Sequence, residues 1–339
     1  MSAKCDIIIP VWNQLAFTAD CVDSIFKYTD GGWRLIFVDN ASEEKTKGYL
    51  ESLAKSHGDK VVLIRNEANA GFVKAANQGM RASSAPYVCL LNNDTLVTKG
   101  WLAEMVAIAE KSADIGIVNP SSNNLGQRPE AGEPVELYAE KLRKETGAYI
   151  ELGAAIGFCM LIKRSVIGKI GYFDEIYGMG NFEDTDFSRK AVGQGFKCVR
   201  ACGAYVYHRE HGSFNKARTF EEDFKRNKEI YEFRWGRPAR VAYVLDSFDD
   251  LTLNHVNTES MKMARSGNWV WYFSKGPFDG PRHSNIIVKD LPPNKFYLSV
   301  LFSILKKKKK FDRIFVDDER FGKVLEQFTF IHKAKVQYY

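Results

Sequence analysis

Tyr87-Val88-Cys89-Leu90-Leu91-Asn92-Asn93-Asp94-Thr95 joins an unbroken apolar run to a sudden cluster of oxygen-bearing side chains. The run suits a strand buried on both faces of a parallel sheet. The change after Leu91 then puts one carboxylate and two amides at the carboxyl end of that strand, where open α/β folds place their ligands. Such a cluster suits a hard divalent cation carrying a phosphorylated substrate. A polar turn, with Asn and Asp chosen for turn geometry, is the other reading of the same residues.

The residues upstream repeat the pattern. Residues 5–10 (Cys-Asp-Ile-Ile-Ile-Pro) form a compact apolar strand, and a turn at 11–14 leads into a helix over 15–28 with Leu15, Ala19, Val22, Ile25 and Phe26 on one stripe. A second strand, 34–38, runs straight into Asp39-Asn40-Ala41-Ser42 before a helix over 43–57. A third, 61–64, precedes the segment 66–72 and a helix over 73–82. Strand and helix thus alternate up to the central strand, which predicts a parallel, wound α/β sheet. Asn13, Asp39, Asn69 and Asp94 each follow a strand, so right-handed connections gather them along one edge of the sheet. Residues needed only for solubility would have no reason to favour that edge.

The chain has 339 residues, enough for one or two domains, with the apolar and charged fractions of an ordinary soluble protein. No apolar run is long enough to cross a bilayer, and Asp6 interrupts the first apolar stretch, so a cytoplasmic protein without a secretory signal is expected. All six cysteines lie in the first two thirds, mostly inside apolar runs, which predicts buried free thiols. Cys198 and Cys202 have no second Cys or His pair to complete a zinc site. From Gly236 onward 18 Lys or Arg face 11 Asp or Glu, so the net charge of +6 belongs to that region. The charge forms one patch without interleaved aromatics, which argues against nucleic acid.

Pro10 with Asn13, the run Val38-Asp39-Asn40-Ala41-Ser42, Asn69-x-Gly71-Phe72 followed by Ala75-Ala76-Asn77-x-Gly79, and Leu91-Asn92-Asn93-Asp94-Thr95 together resemble the successive motifs of family 2 glycosyltransferases. The resemblance extends over residues 5–233 and is nearest to the bacterial rhamnosyltransferase-like, polysaccharide-building branch. It implies the GT-A fold, a Rossmann-like mostly parallel sheet flanked by helices. It also implies an inverting, metal-dependent transfer of sugar from a UDP or dTDP donor to a hydroxyl of a glycan or lipid-linked acceptor, with Mn2+ or Mg2+ as cofactor, in bacterial cell-surface polysaccharide synthesis.

The resemblance further implies roles. Pro10, Val11 and Asn13 would line the base and ribose site, and Asp39 would accept a uracil or thymine N–H. Asn69, Gly71 and Asn77 would pack beside the nucleotide, with Gly71 permitting close backbone approach. Asn92, Asn93 and Asp94 occupy the place of the family's DxD motif. Asn92 replaces its first Asp, which leaves Asp94 as the carboxylate for the metal. Glu183-Asp184 matches the acidic pair that carries the catalytic base, assigned to Asp184. A base and a cation ligand are separate tasks, which Asp184 and Asp94 divide. His208 would complete the metal site, and an imidazole favours manganese; His211 is the alternative contact for the diphosphate. A helix cap at Asp39, first-turn acids complementing a helix dipole at 183–186, and a structural histidine at 208 are the plainer readings. The rivals for the whole are a nucleotidyltransferase, whose glycine-rich loop residues 10–14 lack, and a non-catalytic nucleotide- or glycan-binding module that positions a partner glycosyltransferase.

Further along, a helix is expected over 101–111, a strand over 115–119, a loop over 120–134, and strands over 154–162, 196–199 and 204–207. A charged helix over 219–234 closes the first domain, residues 1–235. Residues 236–339 read as a second, smaller α/β unit with strands over 240–245, 269–273, 284–288 and 313–316 and helices over 253–265 and 296–305. Its opening resembles the first half of a GT-B Rossmann domain, but Ser247-Phe248-Asp249-Asp250 stands where a glycine-rich phosphate loop would be, so no nucleotide is assigned. Its last strand runs into Tyr339, as expected for a piece of a longer polypeptide. The lysine run from Lys306 to Lys310 is either a solvated helix end or a peripheral contact with the inner face of a membrane.

Overall fold

The computed structural model describes residues 4–209, 220–246 and 250–338. The chain falls into two compact units, residues 1–150 with 154–235, and residues 151–153 with 236–339. Ser213 and His211 lie outside the described residues, as do residues 247–249.

The first unit is built on four parallel strands, β1 (Cys5–Val11), β2 (Trp33–Asp39), β3 (Val61–Arg65) and β4 (Tyr87–Leu91). They are joined by helices α1 (Leu15–Tyr28), α2 (Glu44–His57) and α3 (Phe72–Ala82), in the spatial order β3-β2-β1-β4. Ile7, Ile8 and Ile9 are wholly buried, as are Val88, Cys89 and Leu90. Neighbouring side chains of a strand point to opposite faces, so each of these strands is covered on both sides and needs unbroken apolar sequence.

Beyond β4 the sheet turns mixed. β5 (Thr95–Val97), α4 (Trp101–Glu110), β6 (Ile115–Ser121), α5 (Val135–Leu142), β7 (Tyr149–Leu152), β8 (Cys159–Lys163), α6 (Arg164–Ile170), α7 (Glu183–Gly193), β9 (Lys197–His208) and α8 (Phe220–Trp235) follow in chain order. β8 runs antiparallel to β4 and β6, whereas β9 runs parallel to β6 and antiparallel to β5. Two expectations change here. The strand expected over 154–162 begins only at Cys159, because the amides of Ala155, Ile156 and Gly157 are taken by the side chains of Ser188, Asn119 and Asp184 instead of a ladder. The two strands expected over 196–199 and 204–207 are one, β9, whose register against β6 shifts between Pro120 and Ser121. That shift lets one strand span both apolar runs.

The second unit is a five-stranded all-parallel sheet in the order β12-β11-β10-β13-β14, from β10 (Arg240–Leu245), β11 (Trp269–Lys275), β12 (Ile286–Leu291), β13 (Arg313–Val316) and β14 (Lys335–Tyr338). Its helices are α9 (Asp250–Arg265), α10 (Phe296–Leu305), α11 (Glu319–Gln327) and α12 (Thr329–His332). One face of the sheet packs Ala242, Val244, Trp271 and Phe273 against Phe296, Val300 and Ile304 of α10. Among the described residues no helix is long and apolar enough to cross a membrane, and all six cysteines are buried thiols outside any disulfide.

Candidate active site

The carboxyl ends of β1, β2 and β3 are stitched together by short polar side chains. Asn13, in the left-handed region with φ 58°, accepts the Glu43 amide at 2.7 Å, while its own amide donates to Ser42 Oγ at 2.8 Å. An Asn tolerates that backbone conformation better than a branched residue would. Val11, the last residue of β1, accepts the Asn40 amide. Asp39 is completely buried; Oδ1 accepts the Ser42 amide at 2.9 Å and Oδ2 pairs with the Arg65 guanidinium. Pro10 is half-buried, and Trp12 is 40% exposed in the same turn, an aromatic the sequence reading left unassigned.

Asn69 Oδ1 accepts the Gly71 amide at 3.0 Å, a turn held by its own side chain. Gly71 has φ 84°, and a Cβ there would stand 2.8 Å from the Gly178 carbonyl oxygen, so only glycine fits. Asn77 changes its reading. It is buried at the heart of α3, donates to Phe173 O and Glu175 Oε1, and accepts the Phe173 amide at 3.0 Å. Its amide is engaged by the segment 173–175, so Asn77 clamps that segment against α3.

At the end of β4 the amides and the carboxylate separate. Asn93 reaches back to Thr18 Oγ1 of α1 at 2.9 Å. The Asn92 amide nitrogen lies 3.4 Å from His208 Nε2, and the Asn92 backbone donates to Phe158 O. Asp94 Oδ1 is 3.0 Å from His208 Nε2, with both side chains largely buried. On the other side of the ring Asn124 Nδ2 is 2.7 Å from His208 Nδ1, and Asn123 brackets the His208 backbone with two hydrogen bonds. Nε2–H donating to Asp94 and Nδ1 accepting from Asn124 satisfies both nitrogens. The Phe158 ring stacks on the imidazole, centroids 5.4 Å apart.

The acidic pair opens α7. Asp184 Oδ2 accepts the Gly157 amide at 2.9 Å, and Oδ1 accepts both the amide and the hydroxyl of Thr185. Glu183 is buried, and its Oε2 has no hydrogen-bond partner among the described residues. Burial raises both carboxyl pKa values, and the neighbouring Asp184 charge raises that of Glu183 further. The hydrogen bonds from Gly157 and Thr185 oppose the rise on Asp184, whereas Glu183 is raised both by burial and by the Asp184 charge. Asp186 is different: fully buried, it anchors Lys190, Arg234 and the Trp235 indole, an architectural hub between α7 and α8.

Gly157 and Phe158 are adjacent, and they join the two clusters: one holds Asp184, the other binds Asn92 and stacks on His208. Among the described residues no three His, Cys, Asp or Glu side chains converge; Asp94 and His208 are the pair that would hold a cation. The pair fits one. A carboxylate and an imidazole suit manganese, two protein ligands leave positions for diphosphate oxygens, and Asn124 Oδ1 is buried without a partner among the described residues. Turning that amide over would offer Oδ1 to a protonated Nδ1, the tautomer that frees Nε2 for a metal. The sequence reading passed over Asn123, Asn124 and Phe158. The first two follow β6 and its short extension just as Asn92 and Asp94 follow β4, a signal hidden inside the expected loop over 120–134.

Residues 6–171 match the family described as glycosyl transferase family 2. The uncharacterised protein y4gI of Sinorhizobium fredii is 27% identical over 251 residues, 68% of this chain and 27% of that protein. Glycosyltransferase GlyG of Streptococcus pneumoniae is 24% identical over 120 residues, 35% of this chain and 40% of that protein. The chain thus matches well under two thirds of the length of either relative. In fold it resembles the mannosyltransferase PcManGT of Pyrobaculum calidifontis, solved with GDP-Man and Mn2+, with a TM-score of 0.53 and 18% identity over 70% of this chain and 66% of that one.

Proposed function

The chain carries a family 2 glycosyltransferase domain of the GT-A fold, and from that premise we propose that it moves a sugar, with inversion, from a UDP or dTDP donor to a hydroxyl of a glycan or lipid-linked acceptor. The observation that supports this most is the tie through Gly157 and Phe158 between a hydrogen-bonded carboxylate, Asp184, and the Asp94–His208 pair. One is a base and the other a place for the leaving diphosphate.

In this reading Asp184 takes the proton of the acceptor hydroxyl as its oxygen attacks the anomeric carbon. The bond from that carbon to the diphosphate breaks on the opposite face, and the electron pair leaves with the nucleoside diphosphate. Glu183, whose carboxyl is raised by burial and by Asp184, would in its protonated form spare Asp184 a second buried negative charge. Asp94 and His208 would hold a divalent cation, which supplies charge neutralisation on the departing diphosphate. Asp39, already fixed by Arg65 and Ser42, would present its remaining lone pairs to a base N–H, with Pro10, Val11, Asn13, Asn69 and Gly71 shaping the pocket around it. The acceptor is placed in bacterial cell-surface polysaccharide, and the reaction in the cytoplasm, where activated sugars are available; a bacterial glycosyltransferase among the relatives supports that setting.

The test is donor hydrolysis by the purified protein, screening UDP- and dTDP-sugars with Mn2+, Mg2+ or EDTA and detecting the released nucleoside diphosphate. Slow metal-dependent release from one donor is expected. Neither release nor calorimetric nucleotide binding with any donor would sink the transferase reading in favour of a non-catalytic module.

A further inference from the structure

α10 of the second unit is apolar all round. Phe296, Val300 and Ile304 face the sheet, but Leu298 and Phe302, one turn apart, are 62% and 57% exposed. One turn further on, Lys306 Nζ sits 5.4 Å from the Phe302 ring centroid, and Lys308 and Lys309 follow on the surface. Among the described residues none of these three lysines forms an ion pair. A helix C-terminus accounts for one or two cations, not for five in succession.

The cations continue inward. Lys307 Nζ lies 4.0 Å and the Arg240 guanidinium 4.4 Å from the ring centroid of Trp271. Burial, and then repulsion from Arg240 and Lys289, pulls the Lys307 ammonium down to about 8. Asp312 offsets part of the charge on Arg240, whose buried Nε has no hydrogen-bond partner among the described residues. Cations held this close with so little acid beside them leave a charge that an external anion would relieve. Exposed Leu and Phe beside unpaired lysines match the layering of a bilayer surface, with acyl chains beneath phosphates.

We propose that the α10 end of the second unit docks on an anionic phospholipid surface, with Leu298 and Phe302 entering the interface and Lys306, Lys308 and Lys309 meeting lipid phosphates. The docking is independent of the transfer reaction and goes beyond it. Co-sedimentation of the full chain with phosphatidylcholine vesicles, with and without phosphatidylglycerol, tests it. Binding only to the phosphatidylglycerol vesicles is expected, weakened about tenfold or more by high salt, by the double variant Leu298→Ser/Phe302→Ser, and by the triple variant Lys306→Gln/Lys308→Gln/Lys309→Gln. These positions are on the surface, and unchanged thermal melting of the variants separates lost docking from lost folding. Three results would overturn the proposal: no binding to either vesicle, binding that both variants retain, or binding that millimolar inorganic phosphate abolishes, which would mark a site for a free anion. A wild-type dimer that Phe302→Ser converts to a monomer, with no vesicle binding, would show a second copy covering the face. Donor hydrolysis is read in solution without vesicles, so failure of one reading leaves the other standing.

Discussion

His208 Nε2 lies 3.0 Å from Asp94 Oδ1 although 114 residues separate the two in sequence. β5 pairs antiparallel with β9, setting Thr95 opposite His208, so the ladder itself delivers the imidazole to the carboxylate. With Asn124 on the far nitrogen, both ring nitrogens have a partner.

Removing either ligand should abolish cation binding. Asp94→Asn and His208→Ala are expected to lose the Mn2+ signal in calorimetry performed with nucleoside diphosphate present. Asn124→Leu should keep both ligands and still weaken Mn2+ about tenfold or more, because the ring loses the partner that fixes its tautomer. Undiminished affinity in Asn124→Leu would remove Asn124 from the site.

Asp184→Asn should cost about 10²- to 10⁴-fold in transfer rate, the range for a lost general base, with donor affinity little changed. The amide keeps the shape but cannot accept the hydroxyl proton. Equal turnover in variant and wild type would end the assignment.

Glu183 gives a pH signature. Its folded pKa is raised by burial and by Asp184, so the folded state binds more protons than the unfolded one above the ordinary glutamate range. Stability is therefore full at low pH and falls as pH climbs through the raised value. Glu183→Gln mimics the protonated form. Its melting temperature should match wild type near pH 5 and exceed it increasingly toward pH 9. A constant difference across pH would mean that Glu183 ionises freely.

Asn77→Ala should lower stability by about 2–4 kcal/mol, since it leaves the buried amide and carbonyl of Phe173 without partners. The donor KM of the folded variant should be unchanged. A raised KM with unaltered melting would restore Asn77 to the donor site.

Much of this protein was legible in its sequence because local chemistry repeats there. Strands buried on both faces require unbroken apolar runs, and the runs Ile7–Ile9, Leu35–Val38 and Val88–Leu91 show them. The polar residues that follow these runs come at the strand ends, so the wound sheet and the place of Asn13, Asp39, Asn69 and Asp94 after its strands can be read from residue order. The second unit's alternation of strand and helix was readable on the same ground.

Tertiary structure decided what those side chains do. Asn77 and Asn124 are both amides whose partners residue order does not reveal, yet one is saturated by the 173–175 segment and the other holds an imidazole. Asp184 and Asp186 sit two residues apart on one helix, yet one accepts the Gly157 amide beside the 155–158 segment and the other locks α7 to α8. Hydrogen bonds and charge pairs form between residues tens to over a hundred positions apart, and burial sets their strength. Neither distance nor burial is written in residue order; both arise only when β9 returns along β5 and α7 packs beneath residues 155–158.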